Sequence, residues 1–523
     1  MRVRLDPALL AILVMALAIR LYQFDAPYVD THSWRQVTNA DIARLWIEDP
    51  INVFFPPVSW GGPHGYVGLE FPLLQALTAL VWRVTGHSEP LGRLVPIAFS
   101  VGSVWVMALL GEQLFRRPVG LAAAFLLAFS PTFVFFGRTL FSDVPMMFFS
   151  LVGVYGYASY YYGERRRGWA VVGAIGVALA GLTKVPSILI LGPIVWMAWL
   201  RDGWRAARDP WLVTGVLGAA GAISLWYLHA DRIYLETGLT QAIFRPSGSY
   251  TGALAAVAGP FSKVSHWTDW RAANLAEIGR VLWERLWDLH LTPVGVLGAA
   301  IGFFGFWTTR TRTVVDVWML AGLSLVIVSL PGQLYHEFHQ LPLLPPLALY
   351  FGIAAAPLFD AARLTTSIRP RAPRALAAVG LATLWVLVAV LSFANSPVFI
   401  ALYRPNHLNH ALITAGHAMR DATPPGALLV TIEYDQFGTN SPMLLYYAER
   451  RGWSFDAHSI RTSAIEYLRA RRGACFVATS HWSILEAREP ETAGYLLQLP
   501  EVTLPHAQRE YRLFDLGGCP RTW

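Results

Sequence analysis

The sequence predicts an α-helical polytopic membrane protein of about eleven transmembrane helices with a small α/β domain at its C-terminal end. Apolar side chains make up 54% of the 523 residues and charged side chains only 14%, whereas about a quarter of the residues of soluble proteins are charged. Long apolar runs fill residues 7–393, and a water-compatible composition begins only near residue 396. Basic residues recur in the short loops between the runs. These observations exclude a soluble enzyme and predict a membrane domain, residues 1–395, followed by a soluble domain, residues 396–523.

The membrane spans are predicted from apolar runs of about 17 to 25 residues. They lie at 7–23, 91–113, 118–137, 144–162, 168–183, 185–200, 211–228, 291–308, 314–331, 341–359 and 375–394. The first run is flanked by arginine and is not followed by a small-residue cleavage site, so we interpret it as a retained signal anchor.

Arginine in alternate loops orients these spans. The loops that hold it, and the Arg2/Arg4 start, are predicted to be cytoplasmic because basic loops remain inside. Their residues are Arg116 and Arg117; Arg165 to Arg167; Arg201, Arg205 and Arg208; Arg310 and Arg312; and Arg363, Arg369, Arg371 and Arg374. The N-terminus is then cytoplasmic, and the C-terminal domain lies outside the plasma membrane, which in a bacterium is the inner membrane. The net charge of +7 follows from this topology and does not indicate nucleic-acid binding.

Two long segments are predicted on the outer side, residues 24–90 and 229–290. An even number of crossings must separate Arg2 from Arg116, and the spans 7–23 and 91–113 already supply two. Residues 71–85 are therefore predicted to form a juxtamembrane helix that lies on the outer surface.

The C-terminal region alternates β-rich runs with helical patterns, which predicts an α/β domain. The strands are predicted at 427–432, 474–479 and 511–516, and the helices at 444–451, 463–471 and 484–497 with a break at Pro490. The two cysteines of the chain, Cys475 and Cys519, lie here. In an oxidising compartment the alternatives are a disulfide and two buried thiols.

Polar residues at the outer ends of the spans are the candidate functional residues, since charge near the hydrocarbon is costly. The first cluster supplies a general base, an anion clamp and hydrogen-bonding groups. Its members are Asp30, His32, Trp34, Arg35 and Gln36. The structural alternative is a solvated loop in which Asp30 caps a helix from Ser33 to Glu48.

The second and third clusters lie in short outer turns. Arg138 and Asp143 precede the span 144–162, where Asp143 can also serve as a helix cap. Lys184 is one of only two lysines in the chain. It is a candidate phosphate ligand, and its alternative is snorkelling from the end of a span.

The fourth cluster precedes a proline-rich run that opens the span 341–359, and consists of Tyr335, His336, Glu337 and His339. Its His-Glu-x-His spacing differs from that of zinc helices, so hydrogen bonding to a substrate is favoured over metal ligation. Glu70, at the start of the helix 71–85, is a cap, a metal ligand or an acceptor contact, with the cap favoured.

All four clusters are predicted to face one outward-facing cavity at the boundary of lipid and water. The cavity would contain two acids, Asp30 and Asp143, and three cations, Arg35, Arg138 and Lys184. Such a cavity suits an anionic lipid headgroup.

At these residues the chain resembles the GT-C membrane glycosyltransferases. This class includes protein O-mannosyltransferases, lipid A aminoarabinose transferases and bacterial lipopolysaccharide-core glycosyltransferases that use polyprenyl-phosphate donors. The resemblance covers residues 1 to about 395. The matching pieces are Asp30, Glu70-Phe-Pro-Leu73, Arg138 to Pro145, Leu182-Thr-Lys184 and His336 to Pro346. Thr31 follows Asp30 where protein mannosyltransferases carry an Asp-Glu pair, which argues against protein mannosylation.

The resemblance implies catalysis by the first-loop aspartate, Asp30, and the second-loop acid, Asp143. A polyprenyl phosphate leaves without a general acid, so the cations Arg35, Arg138 and Lys184 are expected to hold it. Asp30 is expected to deprotonate a lipid, glycan or protein acceptor as it attacks, with inversion. This scheme requires no cofactor and no divalent metal.

The alternative function is a transporter or flippase of a polyprenyl-linked or other anionic lipid. Transporters bind near the bilayer midplane, often between inverted repeats. Here the charges lie at the outer surface and the sequence has no evident internal repeat, which favours the enzyme.

Overall fold

Helices occupy most of the chain up to residue 367, and a five-stranded sheet lies near its end, in the computed structural model of the protein. The structure describes residues 7–239, 274–305, 311–334, 336–367, 407–434, 441–517 and 519. Tyr335 and the predicted span 375–394 therefore lie outside the described residues.

Every predicted span from 7–23 to 341–359 coincides with a helix. The helices are α1 (Pro7–Arg20), α2 (Ser33–Glu48), α3 (Leu73–Thr85), α4 (Glu89–Gly92), α5 (Leu94–Leu114), α6 (Arg117–Phe129), α7 (Pro131–Phe136), α8 (Asp143–Tyr162), α9 (Arg167–Thr183), α10 (Leu191–Asp202), α11 (Pro210–Thr237), α12 (Leu275–Arg285), α13 (Thr292–Gly305), α14 (Arg312–Val328) and α15 (Leu344–Ser367). Short 3₁₀ turns cover Val185–Ile190, Gly203–Arg208, Pro331–Leu334 and Glu337–Leu343, and a π-turn covers Leu286–His290.

Three stretches of helix in the described part are long and apolar enough to cross a membrane: Glu89–Leu114, Val185–Arg208 and Pro210–Thr237. A fourth is added if Leu275–His290 and Thr292–Gly305, which meet at 104°, form one broken span. The polytopic helical class is thus supported, and the number of eleven crossings stays a prediction.

The chain divides into two compact units. The helical unit comprises Met1–Phe24, Arg93–Ser224 and His266–Tyr403. The mixed unit comprises Asp25–Gly92, Leu225–Ser265 and Arg404–Trp523. The first long loop is thus grouped with the C-terminal region, and the sequence-based domain boundary at 395/396 stays a prediction.

In the helical unit, glycine allows α8 and α9 to pack closely. A Cβ atom at Gly156 would lie 2.4 Å from the backbone nitrogen of Gly173, and small residues at such positions let two helix backbones approach. The connection between these helices is short. The end of α9 therefore returns to the start of α8, which brings Lys184 back to Asp143.

In the mixed unit, α2 is polar and yet buried from Gln36 to Trp46. Two of its polar side chains have partners outside the helix: Gln75 Nε2 donates to Asn39 Oδ1 at 2.8 Å, and Asp41 Oδ2 accepts from the backbone nitrogen of Ser59 at 2.8 Å. The predicted helix at 71–85 is present as α3, which buries Trp82 on one face and leaves Val84 87% exposed on the other. Its location on a membrane surface stays a prediction.

The C-terminal region contains the predicted α/β domain. Its elements are α16 (His407–Ala422), β3 (Leu428–Glu433), α17 (Met443–Tyr447), β4 (Arg451–Asp456), α18 (Thr462–Arg472), β5 (Ala474–Thr479), α19 (Trp482–Arg488), α20 (Pro490–Leu496), β6 (Glu501–Val502) and β7 (Arg512–Asp515). The sheet order is β4-β3-β5-β7-β6, in which β3 pairs in parallel with β4 and β5, and β7 pairs antiparallel with β5 and β6. A separate two-stranded sheet joins β1 (Pro57–Val58) and β2 (Gly65–Tyr66).

A disulfide joins Cys475 and Cys519. It fastens the start of β5 to the residues that follow β7. Of the two alternatives left open by the sequence, the structure thus contains the disulfide.

Candidate active site

Asp143 and Lys184 form a buried ion pair in the helical unit. Asp143 is the first residue of α8, and Lys184 directly follows α9. Lys184 Nζ lies 2.5 Å from Asp143 Oδ2, and the two side chains are 13% and 4% exposed. Removal of either partner would leave a desolvated charge, which makes the two residues interdependent.

The turn Glu337–Leu343 packs against this ion pair. Lys184 Nζ lies 4.8 Å from the centroid of the Phe338 ring, within the range of a cation–π contact. The Phe338 ring is stacked on His336 at 4.9 Å and meets His339 edge-on at 4.8 Å. Glu337, the first residue of the turn, is buried.

The surroundings of His339 favour its neutral form. Burial, followed by the positive charge of Lys184, lowers the pKa of His339 well below its usual value of 6.5. A neutral imidazole can donate one hydrogen bond and accept another, so His339 can contact a polar ligand without adding charge.

Arg138 is buried and contacts the backbone. Its Nη1 donates to the carbonyl oxygen of Gln23 at 3.1 Å, and its guanidinium carbon lies 5.2 Å from the Phe135 ring. Its own carbonyl oxygen accepts from Arg93 Nη1 at 3.0 Å. These contacts join the segment after α1 to the turn before α8. Phosphate binding by Arg138 stays a prediction.

An apolar groove is lined by residues of the same three segments, a few positions further along the chain than the ion pair and the turn. Residues just after Asp143, just after Lys184 and just after His339 line it, opposite α14. They include Met146, Met147, Pro186, Ser187, Pro342 and Trp318. Ser187 is buried in the groove, and its Oγ has no hydrogen-bond partner among the described residues.

Asp30 lies in the mixed unit beside Gln36. Gln36 Nε2 donates to Asp30 Oδ1 and, at 3.0 Å, to the carbonyl oxygen of Thr31. The helix α2 begins at Ser33 as the sequence predicts, but its N-cap is His32, which has a φ of 57°. The interpretation of Asp30 as the cap is therefore wrong, and its carboxylate is held against the first turn of α2.

Arg35 and Glu70 form a second pair in the mixed unit. Arg35 Nη1 lies 3.6 Å from Glu70 Oε2, and the side chains are 24% and 4% exposed. The guanidinium carbon of Arg35 lies 5.6 Å from the Trp34 ring. The N-cap of α3 is Pro72, so the favoured interpretation of Glu70 as a cap is wrong.

The structure brings the predicted residues together in two groups. The helical unit holds Arg138, Asp143, Lys184, His336, Glu337 and His339, and the mixed unit holds Asp30, His32, Trp34, Arg35, Gln36 and Glu70. Convergence of the two groups on one cavity stays a prediction.

Phe338 and the groove residues were not predicted as functional. The available signal was the proline-rich run 342–346, which marks an irregular start to a span and hence a gap between helices. Within the described ranges, no group of three or more His, Cys, Asp or Glu side chains is placed to hold a metal ion.

Comparison with known proteins supports the resemblance. A family model described as dolichyl-phosphate-mannose-protein mannosyltransferase matches residues 69–228. ArnT from Cupriavidus metallidurans in the apo state is similar over 97% of both chains, with 12% identity and a TM-score of 0.59. The chain has the GT-C fold of membrane glycosyltransferases.

Two further solved structures share the GT-C fold. The oligosaccharyltransferase of Archaeoglobus fulgidus, in complex with Zn and sulfate, matches 94% of this chain and 71% of its own at 14% identity and a TM-score of 0.54. The arabinofuranosyltransferase AftD from Mycobacteria matches 97% of this chain at 14% identity and a TM-score of 0.51, and this chain covers 41% of AftD. No curated protein sequence matches the chain.

The family match covers some of the candidate residues and leaves out others. Residues 69–228 include Glu70, Arg138, Asp143 and Lys184, whereas Asp30 and the turn Glu337–Leu343 lie outside them.

Proposed function

We propose that the protein transfers a sugar from a polyprenyl-phosphate donor to an acceptor on the outer face of a plasma membrane, with inversion at the anomeric carbon. The observation that carries the proposal is the buried Asp143–Lys184 pair, together with an apolar groove lined by residues that closely follow both partners in the sequence, in a chain with a GT-C fold. A cation beside an apolar groove suits a ligand in which a phosphate is joined to a hydrocarbon chain.

Lys184 is assigned to the phosphate of the donor. Its ammonium group has three N–H donors, so it can bind Asp143 and a phosphate oxygen at the same time. Ser187 Oγ, buried in the groove, would gain a partner from the same headgroup, and an unpaired buried hydroxyl costs about 1 to 3 kcal/mol. The archaeal oligosaccharyltransferase has been solved with a dolichol-phosphate, a ligand of this class.

The groove is assigned to the lipid of the donor. Its methionine, proline and tryptophan side chains present little that could bind to water. Isoprenoid chains bind such surfaces through the hydrophobic effect.

Asp30 is assigned as the general base. Its carboxylate takes the proton of an acceptor hydroxyl or amine as the acceptor atom bonds to the anomeric carbon. The bond from that carbon to the phosphate oxygen breaks, and the phosphate departs with the electron pair. Arg35 and Arg138 are proposed to add positive charge for the departing phosphate.

The remaining residues are assigned to orientation and substrate contact. Asp143 holds Lys184, and Gln36 holds Asp30. His32, Trp34, Glu70, Tyr335, His336, Glu337 and His339 are proposed as substrate contacts.

The test uses membranes that contain the full chain and radiolabelled polyprenyl-phosphate sugars. Asp30→Asn is expected to lower the transfer rate by about 10²- to 10⁴-fold, the usual contribution of a general base. Asp25→Asn is the matched control, because Asp25 is an exposed aspartate in the same segment; this variant is expected to transfer at the wild-type rate.

Two results would overturn parts of the proposal. Transfer by Asp30→Asn at the wild-type rate would exclude Asp30 as the base. Movement of the labelled lipid across the membrane without labelling of any acceptor would replace the enzyme by the transporter.

A further inference from the structure

The strand order of the sheet in the mixed unit predicts a crevice at the carboxyl ends of its parallel strands. The chain passes from β3 to β4 on one side of β3, and then through α18 to β5 on the other side. The connections therefore leave in opposite directions. In open α/β sheets, this change of direction creates a crevice outside the carboxyl ends of the strands, where ligands bind.

Three rings from three strands meet at this edge. Tyr434 follows β3, His458 lies two residues beyond β4, and His481 lies two residues beyond β5. The Tyr434 ring is centred 4.7 Å from the His458 ring and 5.7 Å from the His481 ring. Tyr434 is 43% exposed and the His458 side chain 37%, so the rings present a face to solvent.

Both imidazoles are held in place by neighbouring polar groups. Asp456 Oδ1 accepts from the backbone nitrogen of His458 and lies 2.9 Å from its Nδ1. Ser480 Oγ lies 2.8 Å from Nδ1 of His481. Side chains fixed before binding lose little entropy when a ligand arrives.

Two further carboxylates lie near this edge. Glu433 is buried and accepts from Ser441 Oγ at 2.8 Å. Glu510 accepts from the hydroxyl and the backbone nitrogen of Ser483. Burial lowers the pKa of His481, so His481 adds no positive charge at neutral pH.

The nearby guanidinium of Arg512 is already neutralised. Arg512 Nε donates to Glu501 at 2.7 Å, and its guanidinium carbon lies 4.1 Å from the Trp482 ring. A phosphate would therefore be repelled by the carboxylates of Asp456, Glu433 and Glu510. Hydroxyl groups carry no charge and can donate hydrogen bonds to carboxylates.

We propose that this crevice, formed by Tyr434, Asp456, His458, Ser480 and His481, binds a glycan without phosphate groups. The Tyr434 ring stacks on the C–H face of a sugar, and the Asp456 carboxylate and the Ser480 hydroxyl bind sugar hydroxyls. Aromatic surface with a few fixed polar groups is the usual composition of a small-molecule site. The binding step involves no transfer, so the proposal goes beyond the proposed function and is independent of it.

The test measures fluorescence anisotropy of labelled oligosaccharides with the purified full chain in detergent. The probes are neutral hexasaccharides of glucose, mannose, galactose and N-acetylglucosamine, with a phosphorylated mannose oligosaccharide for comparison. We expect at least one neutral probe to bind. Tyr434→Ala is expected to weaken that binding by roughly tenfold or more, about the 1.4 kcal/mol that corresponds to a tenfold change.

Two further variants separate stacking from misfolding. Tyr434→Phe keeps the ring and should bind almost as the wild type does. Leu497→Ala removes another exposed apolar side chain of the same unit, 54% exposed, and should leave binding unchanged. The proposal is overturned if no neutral probe binds, if the phosphorylated probe binds best, or if Tyr434→Ala binds like the wild type at an unchanged melting temperature.

Discussion

Lys184 is one of two lysines in a chain that otherwise uses arginine for positive charge. A lysine places its charge on a single atom with three donors, whereas arginine spreads its charge over a planar fork. The single atom suits the geometry at this position, where Nζ faces one carboxylate oxygen of Asp143 and the ring of Phe338. The identity of the residue, and not only its charge sign, is therefore significant.

Replacement of Lys184 tests its assignment as the phosphate ligand. Lys184→Gln is expected to raise KM for the polyprenyl-phosphate donor by roughly 10- to 100-fold, because a hydrogen bond to a charged group contributes about 1.5 to 3 kcal/mol. Lys184→Arg keeps the charge but spreads it over a planar fork, so it should recover only part of the affinity. Initial rates measured over a range of donor concentrations give KM for each variant.

A double variant distinguishes donor binding from stability. Lys184→Gln alone leaves Asp143 as a buried unpaired charge, so its melting temperature should fall. Adding Asp143→Asn removes that charge and should restore the melting temperature but not the KM. If the double variant restores both quantities, Lys184 has only a structural role.

At the scale of the elements, a series of buried hydrogen bonds holds the turn Glu337–Leu343, which carries Phe338 and His339. Thr132 Oγ1 lies 2.7 Å from His290 Nδ1, and His290 Nε2 lies 3.1 Å from Gln340 Oε1. Gln340 Nε2 donates in turn to Gln333 Oε1. These hydrogen bonds connect α7, the π-turn Leu286–His290 and the 3₁₀ turns Pro331–Leu334 and Glu337–Leu343.

Gln340→Leu removes the central side chain of this hydrogen-bond series. The loss of the amide leaves His290 and Gln333 without their partner, at about 1 to 3 kcal/mol for each unsatisfied group. We expect a lower melting temperature in detergent and a raised donor KM, since Phe338 would shift relative to Lys184. Gln498→Leu, at an exposed glutamine, is the control. Wild-type values in both assays for Gln340→Leu would contradict the prediction.

At the scale of the whole molecule, the predicted topology places the C-terminal domain outside the membrane and the basic loops in the cytoplasm. The two cysteines of the chain are joined to each other, so an introduced cysteine reacts against a low background. Leu497 and Arg205 are both exposed and lie on opposite sides in the predicted topology.

Leu497→Cys is expected to react with a membrane-impermeant maleimide in intact cells, because the C-terminal domain is predicted to be outside. Arg205→Cys is expected to react only after permeabilisation, because basic loops remain in the cytoplasm. Equal labelling of both in intact cells, or the reverse order, would show that the predicted topology is wrong.

The positions of helices and of several strands could be predicted because the signals are local. Apolar run length fixed α1, α5 and α8 to within a few residues, and the strand predicted at 474–479 is β5. The strand β4 was missed because the predicted helix at 444–451 extended into its first residue, Arg451. Its second residue is glycine for a long-range reason: a Cβ atom at Gly452 would lie 1.7 Å from the carbonyl oxygen of Leu429.

By itself, the sequence determined the membrane class, the candidate polar clusters and the α/β character of the C-terminal region, because composition and periodicity act within short windows. Only the tertiary structure decided that Lys184 pairs with Asp143, that Phe338 covers the pair, and that the two cysteines are bonded. Those contacts join residues far apart in the chain. They depend on close packing, such as that of α8 on α9, and on burial, neither of which a local pattern contains.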